Sequence, residues 1–206
     1  MIIYRISSQD IGGNRYPWVS GYGPLEKMPF FDSFPQDLKE MKLASWKINN
    51  SPRGLEIDPG GKTWSHVMGC GGGPPCEFFS EQVIEDLLDE GVSFLRATKM
   101  PIATVLAKRL KMLTPPQYHV LEAAPGLKIW SESIPIEEQI AAKNENPPRW
   151  IGPYLTKCEI STWNGADLFS PSHGRALTAL FCTDRVKDLA ERKGWANIEF
   201  KPLKVV

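Results

Sequence analysis

The clearest pattern in the chain begins at Ser80. Val83, Ile84, Leu87 and Leu88 recur at helical spacing, Glu81 places an acid in the first turn, and Gly91 stops the run. Ser80 is a good N-cap, so a helix is predicted over 81–90. A second stripe, Ile102, Val105, Leu106, Arg109, Leu110 and Leu113, follows Pro101 and ends at Pro115 and Pro116. It predicts a helix over 102–112. A third, Val186, Leu189 and Ala190, lies between the N-cap Thr183 and the stop Gly194 and predicts a helix over 184–193. β-Branched and aromatic runs predict strands at 2–6, 43–48, 55–57, 92–95, 118–122, 127–130, 155–162, 177–181 and 198–203. Asn164-Gly165 is a hairpin-turn signal after the 155–162 strand. The stretch 10–35, rich in Gly, Pro and aromatics, reads as a long ordered loop, and the polar 134–148 as an insert. The fold class expected is α+β: a mixed or antiparallel sheet with about three helices packed on it, in a single domain over 1–206. Cap, acid, Val and Gly recur in the same layout in Ser80/Glu81/Val83/Gly91 and Thr183/Asp184/Val186/Gly194. That invites two similar helix–strand lobes, 1–115 and 116–206, sharing one core, although common capping rules produce the same likeness without a duplication.

Composition narrows the function more than the fold. The 206 residues suffice to bury a core, and 42% apolar with 23% charged residues is ordinary for a folded protein. Lys plus Arg number 24 and Asp plus Glu number 24, so the net charge is zero and no basic stripe for a nucleic acid is visible. No run approaches the ~20 apolar residues of a membrane span. The opening MIIYRI is too short for a signal peptide. A cytoplasmic protein, binding neither nucleic acid nor membrane, is the expectation. Four cysteines in this length suggest reduced, mostly buried thiols rather than a disulfide framework.

Candidate chemistry is sparse. His66, Cys70 and Cys76 are weak metal candidates. Five residues separate the two cysteines, and a fourth ligand would have to come from Cys158, Cys182, His119 or His173. Cys70 as a thiol nucleophile with a histidine base is the catalytic alternative. The run Gly71-Gly72-Gly73 is followed by Pro74 and Pro75, which lack N–H donors, and by Glu77 and Glu81, which repel phosphate, so a tight turn explains it better than a phosphate cradle. Seven tryptophans are many for this size. Trp18 and Trp150 lie in Pro-rich loops and are candidates for exposed interface aromatics. Trp163 and Asp167, in WNGADLF, belong either to a turn with a buried Trp or to a recognition loop. Glu85, Asp86, Asp89 and Glu90 read as the solvated face of the first helix, and Glu85 and Asp89 are its candidate contact residues. The partner-binding set is therefore Trp18, Trp150, Trp163, Asp167, Glu85 and Asp89, with no catalytic residue and no cofactor.

Three segments carry a family resemblance: FFSEQVIEDLLDEGVSFLRATKMPI from Phe78, KRLKMLTPPQYHVLEAAPGL from Lys108, and WNGADLFSPSHGRALTALFCTDRVKDLAERKGWANIEFKPL from Trp163. The pattern is W-x-G-x-D-L-F, a strand, a [ST]-[DE]-R-V helix and a closing N-[IV]-x-F. Over roughly the last two thirds of the chain it resembles the bacterial double-CxxCG motif proteins, which are related to polymorphic-toxin immunity families. The CxxCG pairs themselves are missing, so the resemblance brings no metal with it. It implies a non-catalytic protein that neutralises a toxin partner by covering its active site. A small Cys70-centred enzyme and an adaptor domain that docks through the Pro- and Trp-rich N-terminal loop are the alternatives.

Overall fold

A computed structural model describes residues 1–9, 15–21, 54–70, 77–131, 155–171 and 179–206. The expected strand at 43–48, most of the 10–35 loop, the 71–75 glycine–proline run and the 134–148 insert lie outside these residues. Along the chain come β1 (Ile3–Ser7), β2 (Val19–Gly21), β3 (Leu55–Ile57), β4 (Val67–Gly69), β5 (Glu77–Ser80), α1 (Glu81–Asp89), β6 (Arg96–Met100) and β7 (Ile102–Val105). They are followed by β8 (Tyr118–Glu122), β9 (Pro125–Ser131), β10 (Leu155–Glu159), β11 (Leu168–Pro171), β12 (Phe181–Thr183), α2 (Asp184–Lys193), β13 (Glu199–Pro202) and β14 (Lys204–Val205). The strands form a seven-stranded sheet (β13-β1-β12-β11-β9-β10-β14), a four-stranded sheet (β4-β5-β8-β6) and a three-stranded sheet (β2-β3-β7).

Adjacent apolar residues divide between cores because side chains alternate across a strand. Phe79 and Val67 face a central cluster with Tyr4, Ile6, Leu121 and Cys182, and both helices bury Val83, Leu87, Val186 and Leu189 there. Their neighbours Phe78 and Met68 face a second cluster with Val19, Leu55, Ile57, Tyr118 and Val120. Ile3, Leu127, Ile129, Cys158, Phe169, Phe181 and Leu203 form a third, inside the seven-stranded sheet. The central cluster draws on both large sheets and so holds them together.

The seven-stranded sheet is nearly closed into a barrel by its last strand. β13 pairs antiparallel with β1, from Tyr4↔Pro202 to Ser7↔Glu199, while β14 pairs parallel with β10. Leu203 alone separates them. Its N–H donates to the Ile3 carbonyl at 2.8 Å, and the Val206 N–H reaches the Cys158 carbonyl at 3.0 Å. One bent segment thus supplies backbone partners to both ends of the sheet, which leaves few open edges. Gly126 makes room inside: a Cβ there would stand 2.5 Å from the Phe169 Cβ.

The α+β expectation with three helices is corrected by this architecture. The fold is mostly β, with two α-helices among the described residues. The 102–112 segment is no α-helix. Ile102–Val105 is a parallel strand beside β3, with Leu55↔Ile102 in register, and only the 3₁₀ turn Leu110–Met112 follows. The β-branched Ile102, Thr104 and Val105 suit a strand, and pairing with β3 overrides the helical spacing. The strand expected at 92–95 begins instead at Arg96, and that expected at 155–162 gives way at Ile160 to a 3₁₀ turn. Asn164-Gly165 forms no hairpin, because β9 lies between β10 and β11. No helix among the described residues is long and apolar enough to cross a membrane.

Truncating Leu203, only 7% exposed at the closing corner, removes a core side chain and loosens both ends of the sheet. Leu203→Ala should lose about 2–5 kcal/mol in urea unfolding, with m unchanged. A second measurement concerns Glu77 of β5. Burial pushes its carboxyl up from 4.5 to about 7, against the pull of Arg5 and Lys201. A raised carboxyl contributes stability that is full below pH 4.5 and lost as pH rises through about 7. Unfolding at several pH values should show a loss of up to about 3 kcal/mol from this group by pH 8, absent in Glu77→Gln.

Candidate functional site

α1 leaves β5 without a break, because Ser80 ends the strand and caps the helix. The main-chain N–H of Ser80 donates to the His66 carbonyl and that of Glu81 to the Gln117 carbonyl, each at 2.8 Å. Tertiary carbonyls thus meet donors that a capping side chain often satisfies. The Ser80 hydroxyl makes no cap bond and is buried without a partner among the described residues.

The acids of α1 have two fates. Asp86 is buried beneath the helix, where its carboxylate accepts from the Trp195 indole N–H at 2.8 Å and the Gln82 amide at 3.3 Å, and pairs with Lys193 at 2.9 Å. Burial pushes the Asp86 carboxyl up, but the bonds from Trp195, Lys193 and Gln82 outweigh it and hold the group below the usual carboxylate range. Glu90 pairs with Arg192 at 2.6 Å, and Arg185 bonds both the Glu90 carbonyl and, at 2.8 Å, Asp167. These acids tie α1 to α2. Glu81, Glu85 and Asp89 stand in an exposed row at four-residue steps and meet no cation among the described residues. Such like-charge neighbours cost a helix roughly 0.2–0.5 kcal/mol per pair.

The N-terminal end of this row borders a cavity of about 360 Å³ lined by Trp64, His66, Ser80, Glu81, Glu85 and Gln117, among others. His66 is held in one tautomer. Its Nδ1 accepts the Ala196 N–H at 2.9 Å, so the ring proton sits on Nε2. Burial lowers its pKa, only partly opposed by Asp86, and keeps the imidazole neutral at pH 7.

Of the residues expected at a site, Glu85 and Asp89 lie on the exposed row of α1, and Glu85 shares the cavity with His66. Trp18 is half-buried with its ring on Gly69, where a Cβ would come within 2.4 Å of it. The Trp163 indole donates to the Ala166 carbonyl at 2.9 Å, and its ring packs on the barrel interior. Asp167 accepts the Thr183 hydroxyl at 2.7 Å besides Arg185, which joins β11 to the start of α2. Both have well-defined structural work. Trp150 and Cys76 lie outside the described residues. Cys70 is half-buried against the second apolar cluster, and no group of three potential metal ligands occurs among the described residues. Burial pushes the thiols of Cys158 and Cys182 up and keeps them protonated. Sequence reasoning missed Trp64, Ser80 and Gln117 as cavity walls and placed Asp86 in water. The signal for Asp86 was its position between Val83 and Leu87 on the apolar stripe; Leu88, at the stripe's edge, is 59% exposed instead.

Because the Asp86 carboxyl is depressed in the folded state, its stabilisation is present above the ordinary value of 3.8 and lost as pH falls through the lower folded value. Asp86→Asn should cost about 1–3 kcal/mol at pH 7, and the deficit should shrink as pH falls below the ordinary value of 3.8, as followed by denaturant unfolding.

Neither a scan of the chain against protein-family models nor a search of curated proteins returns a match.

Proposed function

We propose that this protein acts by binding rather than by chemistry, as an immunity-type factor that neutralises a toxic partner protein, and that the outer face of α1 meets that partner. The observation that carries the reading is the division of acids on α1. Asp86 and Glu90 are consumed by α2, whereas Glu81, Glu85 and Asp89 stay exposed in one row beside the apolar Leu88. An acidic row with an apolar neighbour suits a basic, partly apolar target surface, and steers it electrostatically despite a net charge of zero. The resemblance of the Phe78 and Trp163 segments to immunity-related proteins points the same way. A Cys70-centred reaction gains no support, since Cys70 packs on an apolar cluster and the His66 Nδ1 is already bonded.

The test is growth of cells that express a captured partner alone, with the wild-type protein, and with the Glu85→Lys/Asp89→Lys variant. A partner that is toxic alone, neutralised by the wild type, and bound at least about tenfold more weakly by the variant is the expected result. Unchanged affinity in the variant would remove this face from the interface. A captured partner that is harmless alone would remove the immunity reading.

A further inference from the structure

We infer that the turn over residues 106–113 is a self-association surface, which pairs with the outer face of α1 of a second copy of this chain in a two-fold dimer. The inference stands apart from the immunity reading and starts from the turn. Ala107 and Leu110, 1% and 0% exposed, anchor it in the second apolar cluster. The Leu106 N–H donates to the Ile57 carbonyl at 2.9 Å, and those of Met112 and Leu113 donate to the carbonyls of Arg109 and Leu110 at 3.3 and 3.0 Å. The turn fixed in this way presents Leu106, Met112 and Leu113 to solvent at 42%, 86% and 42% exposure. Met112 is the most exposed large apolar side chain among the described residues. Lys108, Arg109 and Lys111 stand exposed between these three and meet no acid among the described residues. Apolar exposure grouped in this way and rimmed by charge marks a contact surface.

Charge names the occupant. From Gly91 to Leu121 the chain holds five Lys and Arg and no Asp or Glu, while Glu81 to Glu90 holds five acids and no Lys or Arg. A net charge of zero thus hides two neighbouring blocks of opposite sign. The fold brings both to one rim. Trp64 directs its indole N–H to the Leu113 carbonyl at 3.5 Å, at the end of the turn, and lines one cavity with Pro116, Gln117, Glu81 and Glu85. The basic, apolar turn and the acidic row of α1, with the exposed Leu88 beside it, therefore flank the same cavity. A surface whose adjacent halves are complementary fits a second copy of itself. About a two-fold axis the turn of each copy meets the α1 row of the other, every contact is made twice, and the assembly closes. Lys108, Arg109 and Lys111 are then matched to Glu81, Glu85 and Asp89, and the apolar area of the turn to Leu88. An anionic membrane suits this rim less well, because the acids beside the cavity would be pressed against it. The dimer also covers the row proposed to meet the toxic partner, so that partner would compete with the second copy.

The test is sedimentation equilibrium of the purified full chain from about 10 μM to about 1 mM, in about 50 and about 500 mM NaCl. The expected result is a mass that rises with concentration toward that of a dimer, with association at least about tenfold weaker in the higher salt. Two variants reversed at exposed positions, Lys108→Glu/Lys111→Glu and Glu85→Lys/Asp89→Lys, should each dimerise at least about tenfold more weakly, with amide NMR spectra as dispersed as the wild type's to show that they fold. Mixed in equal amounts they should form a heterodimer, since an acidic turn then meets a basic row and a basic turn an acidic row. A monomeric wild type at about 1 mM, a dimer that both reversals leave unchanged, or folded variants that fail to pair with each other would overturn the interface. So would a monomer that binds vesicles of phosphatidylcholine with about 30% phosphatidylserine and loses that binding in Met112→Asp, which would give the turn to a lipid surface. The dimer and the immunity reading fail separately. The mass is measured with no partner present, so a monomer leaves the immunity reading intact, and a captured partner that proves harmless leaves the dimer intact.

Discussion

The architecture depends on one buried carboxylate. Asp86 lies under α1 and gathers the Trp195 indole and the Lys193 ammonium from the end of α2. Between α2 and β13 the chain turns through Gly194 and Asn197, both at positive φ. That turn is stitched to β4: the Ala196 N–H meets His66, and the Asn197 amide meets the Val67 carbonyl at 2.8 Å. The same contacts that join the helices therefore aim the chain into β13, and through Leu203 into the closure of the sheet. The arrangement is expensive to disrupt, because the buried Trp195 indole N–H would lose its acceptor.

Local rules made part of this legible. Both helices announced themselves, since each combines a strand-ending hydroxyl, a first-turn acid, an apolar stripe and a glycine, and Gly194 does adopt the left-handed cap. The cap hydroxyls did not behave as the rule supposes. The Thr183 hydroxyl bonds Asp167, and that of Ser80 meets no partner among the described residues. The 102–112 segment misled because its apolar residues fit helical spacing, while the fact that decided it, a parallel partner at Leu55–Ile57, lies some forty-five residues upstream. The partner of Asp86 was invisible for the same reason: the Trp195 indole is 109 residues away. Non-local partners leave no mark on local periodicity, so sheet order and the floor of the cavity could not be read from spacing alone.

The helix α1 is thus asymmetric in what its acids do. On its inner side they are matched, one by one, to cations of α2, and this matching gives fixed geometry. On its outer side they are repeated at equal steps without matching cations among the described residues, and such like-charge neighbours do not stabilise the helix. Local rules broken without an internal gain tend to mark contact with something else. Trp163 and Asp167 show the converse. Their conspicuous motif is explained by the turn itself and by the bonds to Thr183 and Arg185.

The closing strand also sets a clock. β1 lies between β12 and β13, so Ile3 pairs with Thr183 and Tyr4 with Pro202. The two neighbours of β1 are made about 180 residues after it, so β1 waits for them for roughly ten to forty seconds at ordinary elongation rates. During that time its backbone N–H and C=O groups form an unprotected edge, open to pairing with other chains. The four-stranded sheet and α1 can assemble from residues already synthesised, whereas the barrel must wait for β13 and β14. Folding of this protein is thus split in time, with β13 and β14 completing the sheet that β1 began.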